Sequence, residues 1–145
     1  MTDPVRVLVV CTGNAARSQM AEALLSRIPG ITAASAGTHP AGVHPLTVVV
    51  LSEVGIDWSR ARSKGIDEML DQPWDLVLTV CDDAREACPV VPGARRIAHE
   101  AFPDPAAAIG SEEERLVAFR AVRDAIAARM TSLAADLTAE RAGAA

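Results

Sequence analysis

Cys11, Arg17 and Ser18 sit inside one short segment, Cys11-Thr12-Gly13-Asn14-Ala15-Ala16-Arg17-Ser18. A cysteine nucleophile needs a neighbourhood that stabilises its thiolate. An apolar run, Val7 to Val10, leads directly into Cys11 and reads as a buried strand. Gly13 and Asn14 tolerate unusual backbone angles, so the chain can turn tightly after Cys11. Helix-forming residues then run from Gln19 to Leu25, with Met20, Leu24 and Ile28 on one face. A strand, a tight loop and a helix start gather backbone N–H groups around one point. Such a point binds a tetrahedral anion, because the N–H groups and the helix dipole both favour negative charge. Arg17 adds a planar fork of donors. A lone cysteine after an apolar strand is ordinarily a small core residue. The coincidence of strand, Gly-Asn turn, Arg-Ser and amphipathic helix points instead to an anion loop, Thr12 to Ser18, with Cys11 as nucleophile at its mouth.

Cys81 and Cys88 form a second stretch, seven positions apart. Two helical turns separate such residues by roughly 10 Å. A disulfide needs Cα atoms about 4.4–6.8 Å apart, so a helical segment must unwind before the pair can bond. Pro89, Pro92 and Gly93 mark that segment as breakable. From the residues alone the pair is either redox-active or two unrelated cysteines. A metal centre is not expected. There is no Cys-x-x-Cys pair, and His39, His44 and His99 are scattered.

The elements that position these residues follow from pattern. Pro29-Gly30 stops the first helix, and Ile31 to Ala36 reads as a second strand ending at Gly37. Pro45 and Gly55 bracket a helix over Leu46 to Val54, against the strand preference of Val48-Val49-Val50. Ile56 to Gly65 reads as loop, Ile66 to Leu70 as a short helix, and Asp75 to Val80 as a buried strand. Ala94 to Ala98 reads as a weaker strand, and Phe102 to Pro105 as a loop held open by two prolines. Ser111 and Glu114 form a capping box for a long helix carrying Leu116, Phe119, Val122, Ile126, Met130, Leu133 and Leu137. The alanine-rich tail from Thr138 is expected to fray. Alternating strands and helices predict an α/β fold with a parallel sheet. Ligands bind such sheets beyond the carboxyl ends of the strands, where Cys11, Cys81 and the Asp104 loop all follow.

With 145 residues, half of them hydrophobic, the chain is expected to form one domain over 1–145. A net charge of −5 argues against nucleic acid as a partner. No apolar run approaches the ~20 residues of a membrane helix, so no membrane association is expected. The N-terminal stretch lacks a signal-peptide pattern, and three cysteines do not suit a secreted disulfide framework. A cytoplasmic protein is expected.

The segment from Cys11 to Ser18 resembles the signature of the low-molecular-weight tyrosine phosphatase fold. The continuation Gln19-Met20-Ala21-Glu22, together with Ser35-Ala36-Gly37 and Gly42-Val43-His44-Pro45, resembles the arsenate reductases on that fold. So does the Cys81 to Cys88 spacing, which is similar to the thioredoxin-coupled branch. Phe102-Pro103-Asp104-Pro105-Ala106 resembles the family's acid loop. Phosphatases of the fold carry tyrosines after that Asp-Pro, and this chain has no tyrosine. It departs from the branch at Ala15-Ala16, where many members have Ser-Cys. It departs again at Lys64, which stands in place of an aspartate that, with Asn14, Glu22 and Ser35, serves a potassium ion in some members. A lysine ammonium can take that cation's place.

The resemblance implies a four-stranded parallel sheet flanked by helices on both faces. It also implies reduction of arsenate to arsenite without a bound cofactor or metal. Residues Thr12 to Ser18 would hold arsenate, or phosphate or sulfate as competitors. Cys11 would attack arsenic, Asp104 would protonate the leaving hydroxide, and Ser18 would hydrogen-bond the thiolate. Cys81 would form a disulfide with Cys11, and Cys88 would pass it into a Cys81–Cys88 redox-active disulfide. Thioredoxin is the expected electron donor, with glutaredoxin or a small thiol in reserve. Two other classes are compatible with the same loop: a phosphatase that ignores Cys81 and Cys88, and a non-catalytic oxyanion-binding or redox-sensing protein.

Overall fold

The computed structural model describes residues 3–80, 91 and 93–144. Four parallel strands form one sheet in the order β2-β1-β3-β4. They are β1 (Val5–Cys11), β2 (Ile31–Gly37), β3 (Leu76–Thr79) and β4 (Ile97–His99). The described α-helices are α1 (Arg17–Ser26), α2 (Pro45–Ser52) and α3 (Glu112–Ala144). Two short 3-10 turns, Ile66–Met69 and Pro105–Ala107, complete the regular structure among the described residues.

The hydrophobic runs explain this order. Val7, Leu8, Val9 and Val10 of β1 are fully buried, as are Leu76, Val77 and Leu78 of β3. Strands buried on consecutive residues have both faces covered, which is where parallel strands are found. The α1 helix buries Met20, Ala21, Leu24 and Leu25, and α3 buries Phe119, Val122, Ile126, Met130, Ala134 and Leu137 at helical spacing. Packing overrides the strand preference of Val48-Val49-Val50: they lie in α2, with Pro45 at its start and Val50 buried.

Several boundaries differ from expectation. Arg17 and Ser18 belong to the first turn of α1 rather than to the loop. Residues 66–69 make a 3-10 turn, and β4 begins at Ile97 rather than Ala94. Ala94 makes only an isolated bridge to Trp74. The α3 helix does not fray at Thr138 but continues to Ala144. Its alanines are good helix formers, and Arg141 is held by an ion pair to Asp75 at 2.7 Å. The capping box is formed: Glu114 N–H donates to Ser111 Oγ at 3.1 Å, and Ser111 N–H to Glu114 Oε1 at 3.2 Å. Among the described residues no helix is long and apolar enough to cross a membrane.

Register brings the ends of the strands to one edge. Cys11 pairs with Gly37, and Val10 with Thr79. Val80 follows β3, is buried, and donates its N–H to Val10 O at 3.0 Å. Phe102 N–H donates to Val80 O at 3.3 Å, which brings the loop after β4 to the same edge.

Candidate active site

The loop from Cys11 to Ala16 turns all of its carbonyls outward. Thr38 N–H donates to Cys11 O, His39 N–H to Thr12 O, Ala41 N–H to Gly13 O and His44 N–H to Ala15 O, at 2.8–3.2 Å. Thr47 Oγ1 also donates to Ala15 O at 2.9 Å, and Ser63 Oγ to Gly13 O at 3.0 Å. Gln19 Nε2 donates to Asn14 O at 3.1 Å, and Met20 N–H closes the first helical bond to Ala16 O at 2.9 Å. With the carbonyls engaged outside, the amides face inward. No described residue accepts from the N–H groups of Gly13, Ala15, Ala16 or Arg17. The α1 helix has no acidic residue in its first turn, so its positive end is not neutralised there. Together these are the donors of an anion nest.

Asn14 is the pivot. It has a positive φ of 48° and is fully buried. Its Nδ2 donates to Ser18 Oγ at 2.8 Å and to Ser35 Oγ at 2.9 Å. Its Oδ1 accepts from Gln19 Nε2 and Lys64 N–H, both at 2.9 Å. Gly37 is required beside it, because a Cβ there would lie 2.6 Å from Thr12 O and 3.0 Å from Asn14 N.

Cys11 Sγ lies 2.8 Å from Ser18 Oγ. Either group can donate in this contact, and when Cys11 is a thiolate the Ser18 hydroxyl is the donor, while its oxygen accepts from Asn14 Nδ2. Asn14 N–H donates to the same sulfur at 3.2 Å. Hydrogen bonds to the charged form favour a thiolate. Arg17 reaches across the nest, where Nη1 donates to Phe102 O at 3.2 Å and Nη2 lies 3.7 Å from Asp104 Oδ2. Asp104 Oδ1 accepts from Ala106 N–H at 3.0 Å, which fixes the start of the 3-10 turn. Asp104 is 44% exposed and Arg17 only 17%, so the carboxylate faces solvent over a largely buried guanidinium.

The structure therefore brings Cys11, the Thr12–Ser18 segment, Arg17 and Asp104 to one place. Cys81 and Cys88 lie outside the described residues, as does the segment proposed to unwind. Lys64 Nζ lies 3.7 Å from Glu22 Oε1 and donates to Arg62 O at 3.2 Å, while Ser35 Oγ donates to the same Glu22 oxygen.

Three contributors escape the sequence reading. Gln19 reads as a helix former yet braces Asn14 from inside. The strap from Thr38 to His44 acts through backbone groups, which leave no side-chain pattern. His44 reads as a loop or surface residue, but it caps α2: Leu46 N–H donates to its Nδ1 at 3.0 Å. Its ring packs on Phe119, with centroids 4.7 Å apart. Burial and the nearby Arg115 hold its pKa below the ordinary histidine value, against an opposing pull from Asp104.

Fold and nest together define an oxyanion-binding enzyme scaffold of one family. Residues 6–143 match the model of the low molecular weight phosphotyrosine protein phosphatases, and the chain belongs to that family. An arsenate reductase of Halalkalibacterium halodurans is 42% identical over 130 residues, which span 88% of this chain and 94% of that protein. Among solved structures, a thioredoxin-dependent arsenate reductase of Corynebacterium glutamicum is 29% identical with a TM-score of 0.71, covering 95% of this chain and 64% of that one. An arginine phosphatase of Geobacillus stearothermophilus is 28% identical with a TM-score of 0.76, covering 97% of each chain.

Proposed function

We propose that the chain reduces arsenate to arsenite by a three-thiol relay that thioredoxin recharges, in the cytoplasm. That the chain is an arsenate reductase rests on its relatives; the roles of its residues rest on the nest geometry. The observation that carries the reading is the Cys11 sulfur, held by Ser18 Oγ and Asn14 N–H beneath inward-facing amides, with Arg17 and Asp104 across the mouth.

Arsenate enters as an oxyanion held by the amides from Gly13 to Arg17 and by the Arg17 fork. Cys11 thiolate attacks arsenic, and Asp104 protonates the departing hydroxide, which leaves as water. Cys81 thiolate then attacks Cys11 Sγ. The sulfur–arsenic bond breaks with both electrons going to arsenic, so arsenite leaves and a Cys11–Cys81 disulfide remains. Cys88 thiolate attacks Cys81 Sγ, releasing Cys11 thiolate and forming Cys81–Cys88. A thioredoxin dithiol reduces that bond and is itself oxidised. Support for Cys81 comes from its bonded neighbour Val80, which lies beside Val10 at the Cys11 edge. Support for thioredoxin comes from the Corynebacterium glutamicum neighbour. Lys64, 3.7 Å from Glu22, is a departure of this chain from the thioredoxin-coupled branch, and its ammonium takes the place that a potassium ion holds in some members.

The test is arsenate-dependent oxidation of NADPH by the full chain, with thioredoxin and its reductase, a glutaredoxin system and a small thiol added one at a time. The proposal expects turnover with thioredoxin; turnover only with another reductant would remove the thioredoxin step. The arginine phosphatase likeness keeps a second reading in view, hydrolysis of phosphate esters through Cys11, Arg17 and Asp104 alone. Phosphate-ester turnover that survives Cys81→Ser, without arsenate reduction, would favour it.

A further inference from the structure

We infer that Trp58 is a positioning residue for the anion loop, acting through Gln19 on Asn14. Its indole Nε1–H donates to Gln19 Oε1 at 2.9 Å. Gln19 is fully buried, and its Nε2 faces three acceptors: Asn14 O at 3.1 Å, Asn14 Oδ1 at 2.9 Å and Arg62 O at 3.1 Å. An indole N–H can only donate, so it fixes which end of the Gln19 amide carries oxygen. The NH₂ end must then face Asn14. A reversed amide would set an oxygen against three oxygens and an NH₂ against the indole N–H.

The consequence reaches Cys11 in three links. Gln19 holds both the carbonyl and the side-chain oxygen of Asn14, the residue with positive φ. Such a conformation in a non-glycine residue persists where its surroundings over-determine it. Asn14 held this way donates to Ser18 Oγ, which faces Cys11 Sγ at 2.8 Å. Trp58 also opens the stretch whose later residues, Ser63 and Lys64, bond Gly13 O and Asn14 Oδ1. A tryptophan well outside the loop therefore helps hold Asn14, the residue that donates to Ser18 Oγ beside Cys11.

The inference rests on reading residues 11–18 as the anion loop, and the experiment separates the two. Reduced full-length protein is alkylated with iodoacetamide over a range of pH, with and without inorganic phosphate, and the Cys11 peptide is followed by mass. In Trp58→Phe, which removes the N–H and keeps a ring, the Cys11 profile should move to higher pH. The phosphate concentration that half-protects Cys11 should rise roughly three- to tenfold, the scale of one neutral hydrogen bond. In a Gln19→Leu background, Trp58→Phe should add nothing, because the link is already cut. A Trp58→Phe protein with wild-type profile and protection, even one that melts earlier, would make Trp58 a packing residue and overturn the inference. So would an effect of equal size in both backgrounds. If Gln19→Leu does not fold, the Trp58→Phe profile alone decides. If phosphate fails to protect wild-type Cys11, the anion-loop reading falls, and the pH profile still decides for Trp58.

Discussion

The side chains of the nest differ in what they are asked to do. Among the described residues Arg17 is the cation pointed across it, and its two nitrogens already engage Phe102 O and Asp104. Lysine keeps the charge but loses the fork that meets two oxygens of one oxyanion. Arg17→Lys should therefore lower kcat/KM for arsenate by roughly a hundredfold or more, since mutant kinetics read lost transition-state contacts directly. Steady-state kinetics with wild-type values would make Arg17 structural only. His44 carries a pH dependence. Its folded pKa is depressed by burial and by Arg115, so the folded state binds fewer protons than the unfolded chain. The stability it contributes is complete above the unfolded value near ~6.5 and is lost as pH falls through the folded value. Protonation at Nδ1 also removes the acceptor for Leu46 N–H. Melting temperature should fall between about pH 7 and pH 5 more steeply in wild type than in His44→Asn, which keeps a capping oxygen and cannot titrate. Equal slopes would show that His44 is not the group responsible.

At the scale of elements, two stretches hold the loop, the 38–44 strap that follows β2 and residues 63–64, which bond Gly13 O and Asn14 Oδ1. Gly37 lets the end of β2 pass within contact of Thr12 O and Asn14 before the 38–44 strap begins. Gly37→Ala should cost about 1–3 kcal/mol, the range for overpacking a filled site. It should also weaken phosphate protection of Cys11, because the methyl group pushes on the nest itself. A denaturation midpoint and protection constant within error of wild type would contradict the close approach. This part of the fold was only partly legible in the sequence. Apolar runs were sufficient for β1 and β3, whose burial is continuous, and Ser111 with Glu114 marked the start of α3 by its own chemistry. Pro45 outweighed three valines in α2 because packing of Leu46, Val50 and Leu51 decides that segment. The 38–44 strap was not legible, since backbone N–H groups serve it whatever the side chain. Gln19 reads as a helix former and Trp58 as part of the loop from Ile56 to Gly65, and neither role is legible until its partner is known. The C-terminal turns of α3 were misread from alanine content alone; their anchor, Arg141 on Asp75, lies 66 positions away in sequence.

At the scale of the whole molecule, one sheet edge collects the nucleophile, the loop amides and Asp104, and the chain passes Val80 there on its way to Cys81. The proposed relay asks more than a phosphatase would of that edge: three sulfurs would have to meet in turn, each attacking thiolate reaching the next sulfur. The most direct test of the central claim counts arsenite released by Cys88→Ser protein with thioredoxin as the only reductant. The account predicts about one arsenite per enzyme and then a stall, one thiol pair being one two-electron equivalent. Peptide mapping without reductant should find Cys11 joined to Cys81 in the stalled protein, and Cys81 joined to Cys88 in oxidised wild type. Repeated turnover by Cys88→Ser under the same conditions would contradict the three-thiol relay.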